Sequence, residues 1–257
     1  MPFVRRYEET EPQRVNRWLA QSGVCSRREA EALIARGLVS IDGETVEDVG
    51  RKILPGQTLT LSDEAQTTIA AAVSVILHKP RGVVSAHPER GQTEAAQLLG
   101  ETARWNANGD PLPADAKPAP LGRLDRDSRG LLLMSDDGVL AKAVIGPASA
   151  LDKEYRVAVM GDITPEKLEL LRYGLELDGR QLKPAEVEII SDQRLRFVLH
   201  EGRNRQIRRM CELVDLKVVD LFRVRVGPLD LGDMPEGRWR LVTAEERAAL
   251  LAVGADD

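Results

Sequence analysis

Cysteine is scarce in this chain of 257 residues, which has two, Cys25 and Cys211. They lie far apart, each inside an apparent helix or helix entry, so no disulfide framework is indicated and both read as small apolar residues. Histidine is nearly as rare. His78, His87 and His200 fall in no HExxH or CxxC-like spacing, and nothing in that pattern asks for a metal. Long apolar runs are missing as well: the longest obvious one, Leu131 to Met134, is far short of the roughly 20 residues of a membrane helix. The N-terminus, MPFVRRYEET, turns charged too early for a secretory signal. The expectation is a cytoplasmic protein with no membrane partner.

What remains is 42% hydrophobic and 30% charged, enough for one large domain with a core plus a small one. The net charge of −5 argues against a nucleic-acid partner, because phosphate neutralisation by Lys and Arg supplies most of that affinity. Distribution tempers the objection. Between Arg196 and Arg225 eight basic residues (Arg196, Arg203, Arg205, Arg208, Arg209, Lys217, Arg223, Arg225) face four acidic ones.

Helical spacing begins at Val15, Trp18 and Leu19 and breaks at Ser22-Gly23; Ser26 with Glu29 then forms a capping box for a second helix burying Ala30, Leu33 and Ile34. Gly37 ends it, and Leu38 to Ile41, the Asp42-Gly43 turn and Thr45-Val46 read as a hairpin. Arg27 and Arg28 occupy that helix's first turn, where the dipole disfavours cations. They read either as a solvated face or as a clamp for a nucleic-acid backbone. The stretch 63–72 is polar, then small, and predicts a linker. After it come strands at Val73 to Leu77 and Val83 to Ser85, and a long loop from Glu101 to Pro120 that includes Asn108, Gly109 and Asp110. Further strands fall at Gly130 to Ser135, Lys153 to Val159, Ala185 to Ile190, Leu195 to Leu199, Val218 to Leu221 and Phe222 to Val226. Helices are predicted at Gly138 to Ile145, from Thr164, at Arg205 to Val214 and at Ala244 to Leu251. Without regular βαβ alternation this predicts an α+β domain with a central, largely antiparallel mixed sheet.

Three stretches carry chemistry: Gly122 to Leu133 (GRLDRDSRGLLL), Lys153-Glu154-Tyr155, and Glu201 to Met210 (EGRNRQIRRM). Separately, Asp125 and Asp127 could be solvated carboxylates, Tyr155 strand packing and the arginines a charged face. Together, behind the N-terminal segment, they carry a resemblance. Residues 13–62 (RVNRWLAQSG, CSRREA, IDG, PG) look like the S4 RNA-binding domain, and the whole chain resembles the RsuA-like family of pseudouridine synthases. The resemblance implies a 1–12 extension, an S4 domain over 13–62, a 63–72 linker, a catalytic domain over 73–251 and a 252–257 tail. It implies Asp125 as the catalytic aspartate, Tyr155 as the ring against the target uracil, and Arg208 as the cation paired with Asp125. Arg123 would fill the stack when the base leaves. Lys79, Arg203, Arg205, Arg14, Arg17, Arg27 and Arg28 would bind RNA.

The chemistry so implied is isomerisation of a flipped-out uridine, needing one carboxylate and no cofactor, with ribosomal RNA or an assembling particle as partner and a monomeric enzyme. The segments GVCSRREA and PEGRWRLVT resemble most the branch acting on large-subunit (23S) rRNA; 16S rRNA is the alternative. His78 stands where the family usually has asparagine before Lys79-Pro80, and the 101–120 loop is longer than the family's. Two rivals remain. An aspartyl-phosphate enzyme would use Asp125-Arg126-Asp127, but its motif follows a buried strand, whereas here the strand comes after. A non-catalytic S4-type RNA-binding or ribosome-assembly protein would not need Asp125, Tyr155 and Arg208 intact.

Overall fold

In the computed structural model, which describes residues 3–106 and 111–253, the local signals of the first module are realised. Strands β1 (Phe3–Arg6) and β2 (Gln13–Arg14) precede helices α1 (Val15–Gln21) and α2 (Arg27–Ala35). Ser26 Oγ accepts from Glu29 N–H at 3.2 Å while the Glu29 carboxylate takes the Ser26 N–H, the expected reciprocal cap. Strands β3 (Val39–Ile41) and β4 (Glu44–Thr45) meet through Asp42 and Gly43, both with positive φ (51° and 87°), the conformation of a tight hairpin turn. Strands β5 (Lys52–Ile53) and β6 (Thr58–Leu61) follow. Val15, Trp18, Leu19, Leu33, Ile34 and Ile41 close a core of their own.

Two boundaries differ from expectation. Residues 1–12, expected as an extension, supply β1, which pairs antiparallel with β6, and the buried Tyr7; Met1 and Pro2 lie outside the described residues. The expected 63–72 linker is helix α3 (Asp63–Ala70), capped by Ser62 Oγ with Ala65 buried in the first core. A cap and an acidic first turn support a short helix that has no wide apolar stripe. By contact, one unit comprises Met1–Ser74 with Ala114–Pro118 and Ser135–Lys142, and the other the remainder.

The larger unit carries a mixed sheet. The chain's further elements are β7 (Ser74–Lys79), β8 (Ala119–Pro120), β9 (Arg129–Ser135), α4 (Gly138–Ile145), β10 (Lys153–Met160), α5 (Pro165–Arg172), β11 (Glu176–Leu177), β12 (Arg180–Gln181), β13 (Glu186–Ser191), β14 (Arg194–Leu199), α6 (Gln206–Leu213), β15 (Lys217–Val226), β16 (Leu229–Asp230), β17 (Trp239–Leu241) and α7 (Ala244–Val253). The strand order is β13-β14-β10-β15-β9-β7-β17. The β10–β14, β10–β15, β13–β14 and β7–β17 pairs are antiparallel and β9–β15 is parallel. The two strands expected around Val218 to Val226 are thus one, and Val83 to Ser85 forms only an isolated bridge, Val84 to Glu94. Ile207, Met210 and Cys211 of α6 and Leu168 and Leu171 of α5 pack on Val157, Leu195 and Phe197 of the sheet, the burial that the i, i+3, i+4 spacing requires.

Gly130 makes the parallel contact possible. Its φ is +115°, and a methyl in place of its hydrogen would stand 2.1 Å from the Arg223 carbonyl oxygen. Only glycine lets β9 approach β15 that closely. The long loop is anchored at its start: Trp239 Nε1 donates to Gly100 O at 2.8 Å and Arg104 lies over the Trp239 ring at 5.6 Å. Residues 107–110 of that loop and 254–257 of the tail lie outside the described residues. No helix among those described is long and apolar enough to cross a membrane.

Candidate active site

The turn ahead of β9 presents Asp125, and its backbone is tied on both flanks. Ser85 Oγ donates to Leu124 O at 2.7 Å and accepts from Leu124 N–H at 2.9 Å; Gly82 N–H reaches Arg126 O at 2.7 Å; Ser128 N–H reaches Asp125 O at 3.1 Å. Buried Leu124 and Ser128 bracket a half-exposed carboxylate. Fixing the backbone this way spends the ordering entropy at folding rather than during reaction.

The cation beside that carboxylate is not the expected one. Arg205 Nη1 lies 3.6 Å from Asp125 Oδ2 and 3.4 Å from Asp127 Oδ1, between the two acids. Arg208 instead reaches Asp127 Oδ2 and the Asp127 carbonyl, each at 3.2 Å, and Ser128 Oγ at 3.3 Å. The reason is helical position. Arg208 sits one turn inside α6 and is buried, so its guanidinium meets the turn's backbone, while Arg205 stands at the helix entry in the left-handed region (φ 49°) and projects outward. A non-glycine residue held there is an uncommon backbone state, the kind concentrated at functional sites. Arg208 Nε is buried with no partner.

Asp125 borders two clefts, which share Arg123, Leu124, Asp125 and Arg205. One, of about 830 Å³, is also lined by Arg81, His87 and Arg126. The other, of about 540 Å³, is closed by Tyr155, Lys153, Arg223 and Leu199 and has the size of a small-ligand site. Tyr155 lies half-buried against the sheet core and shares this cavity with Asp125. Arg123 is exposed and its side chain forms no ion pair or hydrogen bond among the described residues.

Two of the residues expected to bind RNA are engaged within the protein. Lys79 is fully buried, its ammonium donating to Pro80 O and Val83 O at 2.8 Å each. Burial lowers its pKa to about 8, partly opposed by the nearby Asp125 and Asp127. Arg203, partly exposed and lining the smaller cleft, bonds Leu177 O, Arg180 O and Gln181 O at 2.9, 3.1 and 2.7 Å and Glu201 at 3.2 Å, which pins the β11–β12 hairpin. In the first module Arg14, Arg17, Arg27 and Arg28 are all exposed without side-chain partners. Sequence reading gives no role to Lys153, within its Lys153-Glu154-Tyr155 stretch, or to Arg223; the signal available was the pair of arginines inside the apolar run Leu221 to Val226. His78, the departure from the resembled pattern, hydrogen-bonds Met234 O through Nδ1 at 2.8 Å and stacks on Phe222 at 5.3 Å.

The chain is similar to proteins already known. A family model described as RNA pseudouridylate synthase matches residues 73–213, and one described as S4 domain matches 13–59. The chain is 31% identical to the ribosomal large subunit pseudouridine synthase B of Bacillus subtilis (strain 168), over 94% of this chain and 96% of that one. It is 31% identical to the dual-specificity RNA pseudouridine synthase RluF of Escherichia coli (strain K12), over 91% of this chain and 76% of that one. A crystal structure of a pseudouridylate synthase superposes with a TM-score of 0.63 at 26% identity, covering 92% of this chain and 99% of the other.

Proposed function

Because the chain belongs to the RNA pseudouridine synthase family, we propose that it isomerises a uridine of large-subunit (23S) ribosomal RNA to pseudouridine, with Asp125 as the catalytic carboxylate. One observation carries the assignment of residues: Asp125 and Tyr155 line the same cavity of about 540 Å³, with the unpartnered Arg123 at its edge. A uracil paired or stacked in RNA cannot reach a carboxylate, so it must be extruded at a cost of a few kcal/mol. Arg123 takes the vacated place in the stack. Tyr155 offers the face on which the extracted ring lies. Arg205, 3.6 Å from Asp125 and 3.4 Å from Asp127, sets the position of the carboxylate, and Arg208 fixes the turn through Asp127 and Ser128. The S4 arginines Arg14, Arg17, Arg27 and Arg28 hold RNA phosphates. The protein acts as a monomer in the cytoplasm and needs no cofactor.

The large-subunit preference rests on the name of the Bacillus subtilis relative and on the GVCSRREA and PEGRWRLVT segments. Release of tritium from C5-labelled uridine in rRNA transcripts tests the chemistry: the wild type releases it without added metal and Asp125→Asn falls by at least about a thousandfold. Undiminished release by that variant overturns the assignment. Release from 16S but not 23S transcripts overturns the substrate.

A further inference from the structure

The cavity beside Asp125 is lined by two cations that form no ion pair with any carboxylate among the described residues. Arg223 is 2% exposed. Its guanidinium donates to backbone oxygens alone, Leu131 O at 2.7 Å and Arg123 O at 3.5 Å. Lys153 donates to Leu151 O at 3.1 Å and forms no ion pair. Its neighbour Asp152 is occupied by Arg225 through two bonds of 2.8 and 2.7 Å, and Glu154 is shared between Arg196 and Arg225. Burial, with Arg223 alongside, depresses the Lys153 pKa. Placing two like charges together in a poorly solvated pocket costs free energy unless an anion joins them.

The sheet aims both cations at one spot. Lys153 and Tyr155, two residues apart on β10, project to the same face. Arg223 stands directly across from Tyr155, just after a register shift between Glu154 and Tyr155. That irregularity separates Arg223 from Arg225: Arg225 meets Glu154 on one face while Arg223 lines the cavity on the other. Arg223, Lys153 and Tyr155 therefore surround one volume, the volume in which the uracil ring lies.

We infer that Lys153 and Arg223 form an anion hole for the uracil ring itself, holding the negative charge it carries once the glycosidic bond is broken. The inference rests on the uridine-isomerising reading of this cavity. When C1′–N1 breaks, the bond pair stays on the ring, whose charge spreads over N1, O2 and O4, while the ribose C1′ becomes electron-poor beside Asp125. The ring turns, C5 supplies the pair for the new C1′–C5 bond, the C5 proton leaves and a proton reaches N1, so the sum is an isomerisation. Preorganised cations facing that developing charge lower the barrier because no solvent must reorganise around it. A path in which the ring stays attached throughout gains nothing from such a hole.

Lys153 is the residue to change, since Arg223 also ties β9 to β15. Free 5-fluorouracil is the probe because it ionises at lower pH than uracil. Calorimetric affinity measured from about pH 6.5 to about pH 8.5 is expected to tighten about tenfold on the wild type as the ring ionises, to stay flat for uracil, and to lose its pH dependence in Lys153→Met. In single-turnover tritium release Lys153→Met is expected to lose about a hundredfold and Lys153→Arg to recover much of it, with Arg223→Lys intermediate. No tightening on the wild type, or full tightening in Lys153→Met, overturns the anion hole even if tritium is released. Tightening without tritium release from any rRNA leaves the anion hole standing and overturns the uridine-isomerising reading.

Discussion

The arginines of the two modules do opposite work. Those between Arg196 and Arg225 are engaged inside the protein. Arg196 is shared by Glu154, Glu186 and Glu188, Arg209 grips Asp178 at 2.7 Å, Arg225 grips Asp152 at 2.7 Å, and Arg203 and Arg223 bond backbone carbonyls. Arg14, Arg17, Arg27 and Arg28 of the first module have no side-chain partner and face solvent. Most arginines of the basic segment that a charge count singles out are thus held by carboxylates or carbonyls, whereas those four arginines of the first module have no such partner among the described residues. Local charge excess measures composition, whereas affinity for a polyanion depends on which cations remain unpaired.

The largest consequence for an engaged cation is at Lys79, buried on β7. Its pKa is about 8 in the folded protein against 10.5 when solvated. Below pH 8 both states carry the proton and the folded state bears the full cost of the buried charge. As pH rises from about 8 to about 10.5 the folded state releases the proton first, so its stability rises, by up to about 3 kcal/mol. Lys79→Met removes this term. The urea-unfolding free energy of the wild type minus that of the variant is expected to climb over that window, the difference cancelling the shared titration of Cys25 and Cys211, whose pKa values burial raises to about 12. A flat difference would show that Lys79 is solvated and available to a ligand.

Next in size is the pair beside Asp125. Arg205→Met is expected to cut turnover by about a hundredfold, about 2.7 kcal/mol of barrier. Stability should change by less than about 1 kcal/mol, because the bridge is exposed and long. Arg208→Met is expected to lower the unfolding free energy by about 2 kcal/mol, since it strips bonds to Ser128 and the Asp127 carbonyl. If turnover collapses in Arg208→Met at unchanged stability while Arg205→Met stays active, the resemblance-based pairing of Arg208 with Asp125 is right and the geometry is misleading.

These cases mark what the sequence made legible. The Ser26–Glu29 cap, the Asp42-Gly43 turn and the Ile207, Met210, Cys211 stripe were readable because each is settled within a few residues. The strand β1 was not, because its partner β6 lies more than fifty residues away and β pairing leaves little local trace. The Asp125, Tyr155 and Arg123 grouping was visible in two motifs, but the choice between Arg205 and Arg208 turned on a left-handed residue at the α6 entry. Arg223 was hidden because a buried cation on a strand looks like any arginine until the register shift at Tyr155 is known.

The smallest expected effect falls on the free arginines, and it separates the two modules most cleanly. Arg27 and Arg28 are exposed and their side chains form no hydrogen bond or ion pair among the described residues, and their cationic charge at the start of α2 is mildly unfavourable to that helix. The double change Arg27→Ala with Arg28→Ala is therefore expected to leave the unfolding free energy unchanged or a few tenths of a kcal/mol higher. RNA binding should weaken about tenfold at moderate salt, and the slope of log affinity against log salt should fall by about one to two, since each cation lost releases one fewer counterion. Arg209→Ala, which removes a cation already neutralised by Asp178, should leave that slope unchanged. Equal slopes for the two variants would mean that occupied and free arginines contribute alike, and the contrast between the modules would not extend to RNA.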